Sequence, residues 1–198
     1  MTDRVDAEFV VGVDPGETGF DCTLKAESRT ASPTFLPSPY DDGWREADAV
    51  SRARAWRASG VRVVALERQQ VFSRIGGGRA KQGIHSAFEK GFAYAMWRTA
   101  LLAAGFVEWR DGEDRPGGSF FVCPLPSLWK AHMSCAGAEG DRKLALKLIV
   151  EVAQRIHPQV DLRAIETAKD PKRCRAPSAD KGAALLLAEF ARTLWRPT

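Results

Sequence analysis

The sequence predicts an α/β fold in which a mixed β-sheet of about five strands is flanked by helices. Short apolar or β-branched runs, typical of strands, alternate with longer segments that carry apolar residues at helical spacing. The length of 198 residues is that of one domain, and a 44% hydrophobic content is sufficient for a core. No repeat, low-complexity tract or clear boundary divides the chain. We therefore expect residues 1–198 to form a single domain.

The predicted strands come first along the chain. Residues 8–13 form an apolar run that stops at an Asp-Pro-Gly sequence, where proline and glycine favour a turn. Residues 20–24 can return as a second strand, and residues 34–36 lie between two prolines as a third. The β-branched run at 61–66 predicts a strand that is buried on both faces.

The predicted helices lie between and after these strands. Residues 44–58 and 83–104 carry apolar side chains at helical spacing, and Gly60 ends the first of these helices. The spacing places Phe88 and Leu102 on the apolar face of the second helix. The remaining predicted elements are a short strand at 120–122, a helix at 141–156, and a last helix that is capped by Ser178 or Asp180 and runs to 195.

The net charge of +4 is distributed unevenly along the chain. Residues 1–50 contain 4 basic and 11 acidic side chains, which leaves 25 basic and 14 acidic ones in residues 51–198. The basic remainder indicates a polyanionic partner, although charges scattered over solvated faces explain it equally well. No apolar run is long enough to span a membrane, and the first residues are too polar for a secretory signal. We therefore expect an intracellular protein without a membrane partner.

Two acidic residues directly follow predicted strands. Asp14 comes after the strand at 8–13, and Glu67 comes after the strand at 61–66. If these strands are neighbours in the sheet, the two carboxylates converge and can bind Mg²⁺, which prefers oxygen ligands. The segment 68–90 has five basic residues and one acidic residue, and could bring a phosphate backbone to this site. Either acid taken alone is more simply explained as the surface end of a strand.

Several segments, in order along the chain, resemble the motifs of RuvC-type Holliday junction resolvases in the phage and bacterial branch of the ribonuclease H-like superfamily. They are residues 10–16 (VVGVDPG), 65–70 (ALERQQ), 85–91 (HSAFEKG), 127–130 (SLWK), 141–143 (DRK) and 184–190 (ALLLAEF). The resemblance implies a ribonuclease H-like fold and a homodimeric, metal-dependent endonuclease that cuts a four-way DNA junction. It also implies two Mg²⁺ or Mn²⁺ ions per active site and no small-molecule cofactor.

The resemblance further implies which residues hold the metal ions. Asp14 and Glu67 carry over directly as ligands, and Asp180 is the third candidate. The family has an acid immediately before the Ala-Leu of the last helix, where this chain has Ala183. Asp180 then serves as the only ligand from this helix, or Ala183 is an introduced change that prevents cleavage, or the protein is a naturally impaired junction binder. The otherwise intact motifs favour an introduced change.

The segments that flank these acids supply candidate DNA contacts. Phe72 could wedge against a base step, although an aromatic residue after a strand more often belongs to the core. Lys130 could approach the cleaved phosphate, or it could lie in solvent at a helix end. The candidate DNA-binding residues are Arg68, Gln69, Gln70, Phe72, Arg74, Arg79, Lys81, Lys130, Lys172 and Arg173.

Two other functions are compatible with the sequence. A non-catalytic protein that binds branched DNA would share the fold, and metal-dependent cleavage by a variant with an acid at position 183 distinguishes a resolvase from it. Another ribonuclease H-like nuclease, acting on flaps or RNA–DNA hybrids, would differ in its loops and dimer contacts. The resemblance implies a location in the cytoplasm of a bacterial or phage-infected cell, or in a DNA-containing organelle.

Overall fold

The computed structural model describes residues 8–16, 19–28, 30–39, 45–69, 84–136, 141–163 and 177–195, with the backbone alone at 84–87. The elements in chain order are β1 (Phe9–Val13), β2 (Phe20–Lys25), β3 (Thr34–Pro37), α1 (Glu46–Ala58), β4 (Val61–Leu66), α2 (Ile84–Ala103), β5 (Val107–Glu108), β6 (Phe120–Val122), α3 (Pro126–His132), α4 (Arg142–Ile156) and α5 (Ala179–Leu194). Across these ranges, every helix is too short or too polar to cross a lipid bilayer.

The strands form one mixed sheet in the order β3-β2-β1-β4-β6-β5. β1, β4, β6 and β5 are parallel to one another, whereas β2 is antiparallel to both β1 and β3. This arrangement confirms the predicted α/β fold with a mixed sheet. The sheet has six strands in the described residues instead of about five, because β5 contains only two residues and is too short to produce a periodic signal.

Helices cover both faces of this sheet. Successive side chains of a strand point to opposite faces, so Val10 packs under α3, α4 and α5 while Val11 packs under α1 and α2. On the second of these faces, Trp56 of α1 stacks on Trp97 of α2 with 5.3 Å between the ring centroids. The result is a three-layer arrangement with a core on each side of the sheet.

The buried face of α2 differs from the predicted one. Phe88 and Leu102 are 67% and 45% exposed, whereas Trp97, Ala100 and Leu101 are buried against the sheet and α1. Because α2 carries apolar side chains around much of its circumference, helical spacing does not show which stripe faces the sheet. The large indole of Trp97 sets the rotation of the helix by stacking on Trp56.

The last helix, α5, lies directly on β1. A Cβ atom at Gly12 would be 2.2 Å from both the carbonyl oxygen of Ala184 and the backbone nitrogen of Ala188. Glycine therefore allows the backbone of α5 to touch the strand. At the start of α5, the Ser178 hydroxyl accepts a hydrogen bond from the backbone N–H of Lys181 at 3.3 Å, so Ser178 is the cap of the two that were predicted.

One helix, α3, is absent from the predicted elements. The prolines at 124 and 126 indicate the end of a strand, but Pro126 also occupies the first turn of α3. Proline is tolerated there because its fixed φ suits a helix and its missing N–H would have no partner within the helix. The consequence for the site is that α3 presents Trp129, whose side chain is completely buried, to the carboxyl end of β4.

Candidate functional site

The carboxyl ends of β1 and β4 place Asp14 and Glu67 side by side. The two strands pair in parallel with Val13 opposite Leu66, and the backbone N–H of Glu67 donates a hydrogen bond to the carbonyl of Val13 at 3.0 Å. This pairing confirms that the two strands are neighbours, which is the condition for convergence of the two acids. Both residues line the same cavity.

The turn after β1 fixes the backbone at Asp14. The N–H of Asp14 donates to the carbonyl of Phe20, and the N–H of Gly19 donates to the carbonyl of Gly16, both at 2.9 Å. A Cβ atom at Gly19 would lie 2.1 Å from the carbonyl oxygen of Asp14, so only glycine fits there. The Asp-Pro-Gly sequence thereby holds the Asp14 carboxyl group at the edge of the sheet.

The carboxylate of Glu67 receives a hydrogen bond on each of its oxygens. The indole Nε1–H of Trp129 donates to Oε1 at 3.0 Å, and the amide Nε2–H of Gln69 donates to Oε2 at 3.1 Å. Both distances are normal for N–H···O hydrogen bonds. The Nζ of Lys130 on α3 lies 5.2 Å from the centroid of the Trp129 ring, and its positive charge lowers the pKa of Glu67.

The first turns of α5 form another wall of the cavity. Asp180 and Ala183, which are separated by one turn, both line it. Ala183 is only 6% exposed and contributes no more than a methyl group to the wall. The structure thus brings Asp14, Glu67 and Asp180 to one cavity, with Ala183 beside them.

This cavity has a volume of about 490 Å³ and contains side chains of both charges. Its acidic residues are Asp14, Glu67, Glu89 and Asp180, and its basic residues are Lys90, Lys130 and Arg142. The other lining residues are Pro15, Gly16, Gly19, Gln69, Trp129, Leu146, Ile149, Ala179 and Ala183. Oxygen donors suited to a cation and cationic groups suited to a phosphate therefore share one space.

The two central carboxyl groups are held in an unfavourable electrostatic environment. Burial raises the pKa of Asp14 well above its ordinary value, and repulsion by Glu67 and Asp180 raises it further. A hydrogen bond from the backbone N–H of Gly16 and the charge of Lys130 oppose that rise. Burial also raises the pKa of Glu67, against the lowering effects of Lys130 and of the Trp129 hydrogen bond. A bound cation would relieve both the burial of these charges and their mutual repulsion.

The donor set fits a divalent cation in its chemistry. Asp14 and Glu67 are neighbouring hard oxygen donors, and Asp180 interacts electrostatically with Asp14. Within the described part of the chain, no three carboxylate, imidazole or thiol side chains are arranged so that they could hold a metal ion by themselves. Two adjacent carboxylates with a third acid nearby agree with Mg²⁺ or Mn²⁺, which usually retain several water ligands.

The structure separates the predicted DNA contacts into three groups. Gln69 and Lys130 line the cavity with the acids. Arg68 instead lines a second cavity of about 880 Å³, bounded by α2, α3, β6 and the end of α5. The predicted contacts that lie outside the described residues are Gln70, Phe72, Arg74, Arg79, Lys81, Lys172 and Arg173.

Sequence reasoning missed several residues that line the cavity. Trp129 was part of a recognised segment, but its contact with Glu67 was not predicted. Lys90 and Arg142 add positive charge to the cavity, and both lie in segments that were noted only for their basic character or motif position. Trp129 could have been predicted from its neighbour Lys130, a candidate site residue, because consecutive residues of a short helix can reach the same site.

Comparison with known proteins gives a likeness in structure only. No protein-family model and no curated protein sequence matches the chain. The structure of Thermus thermophilus RuvC matches with a TM-score of 0.50 and 18% identity, covering 94% of this chain and 96% of that one. T. thermophilus RuvC in complex with Holliday junction substrate matches with a TM-score of 0.48 and 16% identity over the same shares. The chain therefore has a mixed α/β fold similar to that of RuvC.

Proposed function

We propose that the chain is a structure-selective endodeoxyribonuclease that hydrolyses phosphodiester bonds at four-way DNA junctions. The observation that carries this proposal is the adjacency of Asp14 and Glu67 at the ends of paired parallel strands, in a cavity that also contains Lys130. The ordered motif resemblance to RuvC-type resolvases and the similarity of the fold support the choice of substrate. The motif resemblance and the fold both favour a four-way junction as the substrate class.

In this proposal, Asp14, Glu67 and Asp180 hold divalent cations, Mg²⁺ or Mn²⁺, and two ions occupy each site. When bound, such ions supply an activated water molecule and stabilise the leaving oxygen of the phosphodiester. The protein supplies the position of the carboxylates. Asp14 is fixed by its turn and Glu67 by its two hydrogen-bond donors, so the ligands are oriented before any cation arrives.

The basic side chains of the cavity recruit and orient the phosphate backbone. Lys90, Lys130 and Arg142 belong to three different helices, α2, α3 and α4, that meet around the acids. Positive side chains that line a cleft raise the local concentration of a polyanion there. We propose that the backbone of one junction strand lies between these residues.

We further propose that Ala183 limits cleavage while leaving junction binding intact. Its methyl group lies in the cavity wall one turn after Asp180, where the resolvase motif has an acid. An alanine there removes a ligand but no positive charge, so the affinity for phosphates is preserved. This observation favours a second candidate function for the present sequence, that of a branched-DNA-binding protein with little or no cleavage.

The test compares a four-way junction with a linear duplex of the same sequence, using the chain as it stands, Ala183→Asp and Ala183→Glu. We expect all three to bind the junction more tightly than the duplex in Ca²⁺, which supports binding without cleavage. In Mg²⁺ or Mn²⁺ we expect at least one of the acidic variants to cleave the junction faster than the parent. Adding Asp14→Asn to that variant should lower its rate roughly 100- to 1000-fold, as expected for loss of a group that stabilises charge in the transition state.

Each alternative has its own outcome in the same experiment. Preference for flaps or RNA–DNA hybrids over the junction would identify another ribonuclease H-like nuclease. Selective junction binding without cleavage by any variant would identify a binding protein. Equal affinity for junction and duplex would refute the proposed selectivity.

We also propose that the active form is a homodimer, since two cuts on opposing strands need two sites. Phe88, which is 67% exposed, stacks on Phe92 along α2 with 6.3 Å between the ring centroids, and this pair is a candidate contact surface. Light scattering coupled to size exclusion measures the mass. We expect about twice the 21.7 kDa of one chain, and a shift towards one chain in Phe88→Glu.

A further inference from the structure

We propose that Trp129 and Gln69 are positioning residues that fix the carboxylate of Glu67 for metal binding. The inference rests on the proposed function, because it assumes that Glu67 is a metal ligand. It goes further by assigning a role to a buried tryptophan and by naming the hydrogen bonds through which that role is exerted.

The number and placement of the hydrogen-bond donors restrict the Glu67 carboxylate. One N–H donates to each oxygen of Glu67, at 3.0 Å from Trp129 and at 3.1 Å from Gln69. An ionised carboxylate offers about four lone pairs, so two donors leave acceptor capacity free on both oxygens. A carboxylate held in this way cannot rotate freely, yet it can still bind a cation.

The principal donor, Trp129, is held rigidly by its surroundings. Trp129 has no exposed surface and belongs to the same core as β6 and α5. Its indole nitrogen is a donor only, so the direction of the hydrogen bond is fixed by chemistry. A fully buried ring in a packed core has little rotational freedom, and it can therefore impose its orientation on Glu67.

Burial alone does not require a hydrogen-bond partner for the indole nitrogen of Trp129. Among the described residues the buried Nε1 of Trp97 has no hydrogen-bond partner, so a buried indole in this protein is not always matched with an acceptor. Trp129, by contrast, meets an acidic residue 62 positions away in the sequence, inside the cavity that holds the other acids. Side chains that hold metal ligands from behind commonly affect metal affinity by about 10- to 100-fold.

The most direct variant is Trp129→Phe, which removes the N–H and keeps an aromatic ring beside Lys130. Trp109→Phe is the matched control, because the Trp109 Nε1–H donates to the carbonyl of Glu113 at 3.0 Å and Trp109 does not line the cavity of the acids. Gln69→Met removes the second donor from a partly exposed side chain. It tests the same idea without a change in the core, if Trp129→Phe fails to fold.

The experiment measures Mn²⁺ affinity by electron paramagnetic resonance on DNA-free protein, together with the melting temperature. We expect Trp129→Phe to weaken Mn²⁺ binding about 10- to 100-fold and Gln69→Met to weaken it in the same direction, with Trp109→Phe unchanged. In a Glu67→Gln background, Trp129→Phe should have no further effect on Mn²⁺ affinity. In ¹⁵N spectra, Mg²⁺ should shift one of the six indole N–H signals, and that signal should be the one missing from Trp129→Phe.

Three results would overturn the inference. Wild-type Mn²⁺ affinity in both folded Trp129→Phe and Gln69→Met, with affinity lost in Glu67→Gln, would refute the positioning role and leave the proposed metal site standing. An equal loss in Trp109→Phe would show that the effect is a general consequence of losing an indole. Failure of the parent chain and of both Ala183→Asp and Ala183→Glu to bind Mn²⁺ would refute the proposed function and this inference together.

Discussion

Replacing Gly12 by alanine would perturb the contact between the first strand and the last helix. The new Cβ atom would stand 2.2 Å from the carbonyl oxygen of Ala184 and from the nitrogen of Ala188, and 2.7 Å from the carbonyl carbon of Leu187. All three neighbours are backbone atoms of one helix, so no side chain can rotate away. The helix α5 must therefore retreat from β1 by more than about 1 Å to restore an ordinary contact.

The magnitude follows from that displacement. Overpacking of a well-packed core costs about 1–3 kcal/mol, and occasionally more. For a chain of this length, 1 kcal/mol corresponds to about 2–4 °C in melting temperature, so we expect Gly12→Ala to melt roughly 2–12 °C lower. Because α5 also carries Asp180, a shift of about 1 Å at this carboxylate should lower cleavage by a cleaving variant roughly 100-fold.

Thermal unfolding followed by circular dichroism is the assay, with Gly91→Ala as the control. Apart from its chain neighbours and the backbone of its own helix, no described residue lies within 4 Å of a Cβ at Gly91 in α2, so this change should leave the melting temperature unchanged or raise it slightly. Gly182→Ala on α5 places its Cβ 3.1 Å from the Cγ2 methyl of Ile149, a side-chain atom at a longer distance than the backbone contacts of Gly12, and should have an intermediate effect. A melting temperature of Gly12→Ala equal to or above that of Gly91→Ala would show that α5 does not approach β1 as closely as described.

Three further predictions concern Asp14 and two residues at the start of α5. Asp14→Asn should stabilise the metal-free protein at neutral pH. Because the pKa of Asp14 is raised in the folded state, the free energy of unfolding falls as the pH rises above the ordinary pKa of 3.8. Asparagine has no charge to bury and avoids this loss. Melting temperatures between pH 5 and 7.5 check this, and an Asn variant that melts lower at pH 7.5 contradicts it. Ser178→Ala removes the cap of α5 and should cost about 0.5–2 kcal/mol in urea unfolding, whereas an unchanged midpoint would show that the cap is dispensable. Lys181→Met removes the Nζ–H donors to the carbonyls of Asp161 and Arg163 and should cost about 1–3 kcal/mol in the same measurement; no loss would mean that water replaces them.

The central pair of acids was predictable because its signals are local. Asp14 and Glu67 each directly follow an apolar strand, and parallel strands that are neighbours end at the same edge of the sheet. The same reasoning extends to the residues after Glu67. Side chains alternate in an extended segment, which explains why Gln69 returns to the cavity of the acids while Arg68 lines the second cavity.

The rest of the site depends on contacts that no local pattern encodes. The spacing of apolar residues on α2 does not show that Trp97 rather than Phe88 faces the sheet, since the choice depends on the position of Trp56. Similarly, the indole of Trp129 meets Glu67 only because α3 forms after a pair of prolines. Such side-chain partnerships are properties of the assembled core.

The contact between β1 and α5 links the order of synthesis to the appearance of the site. During synthesis, Asp14 and Glu67 are made together with β1 and β4. Asp180 belongs to α5, which is made more than a hundred residues after Asp14. In the complete fold, α5 covers the face of β1 around Gly12, and its Asp180 lines the cavity of the other two acids. A product that ends before α5 therefore lacks Asp180, so the proposed metal site would be complete only once α5 covers the sheet.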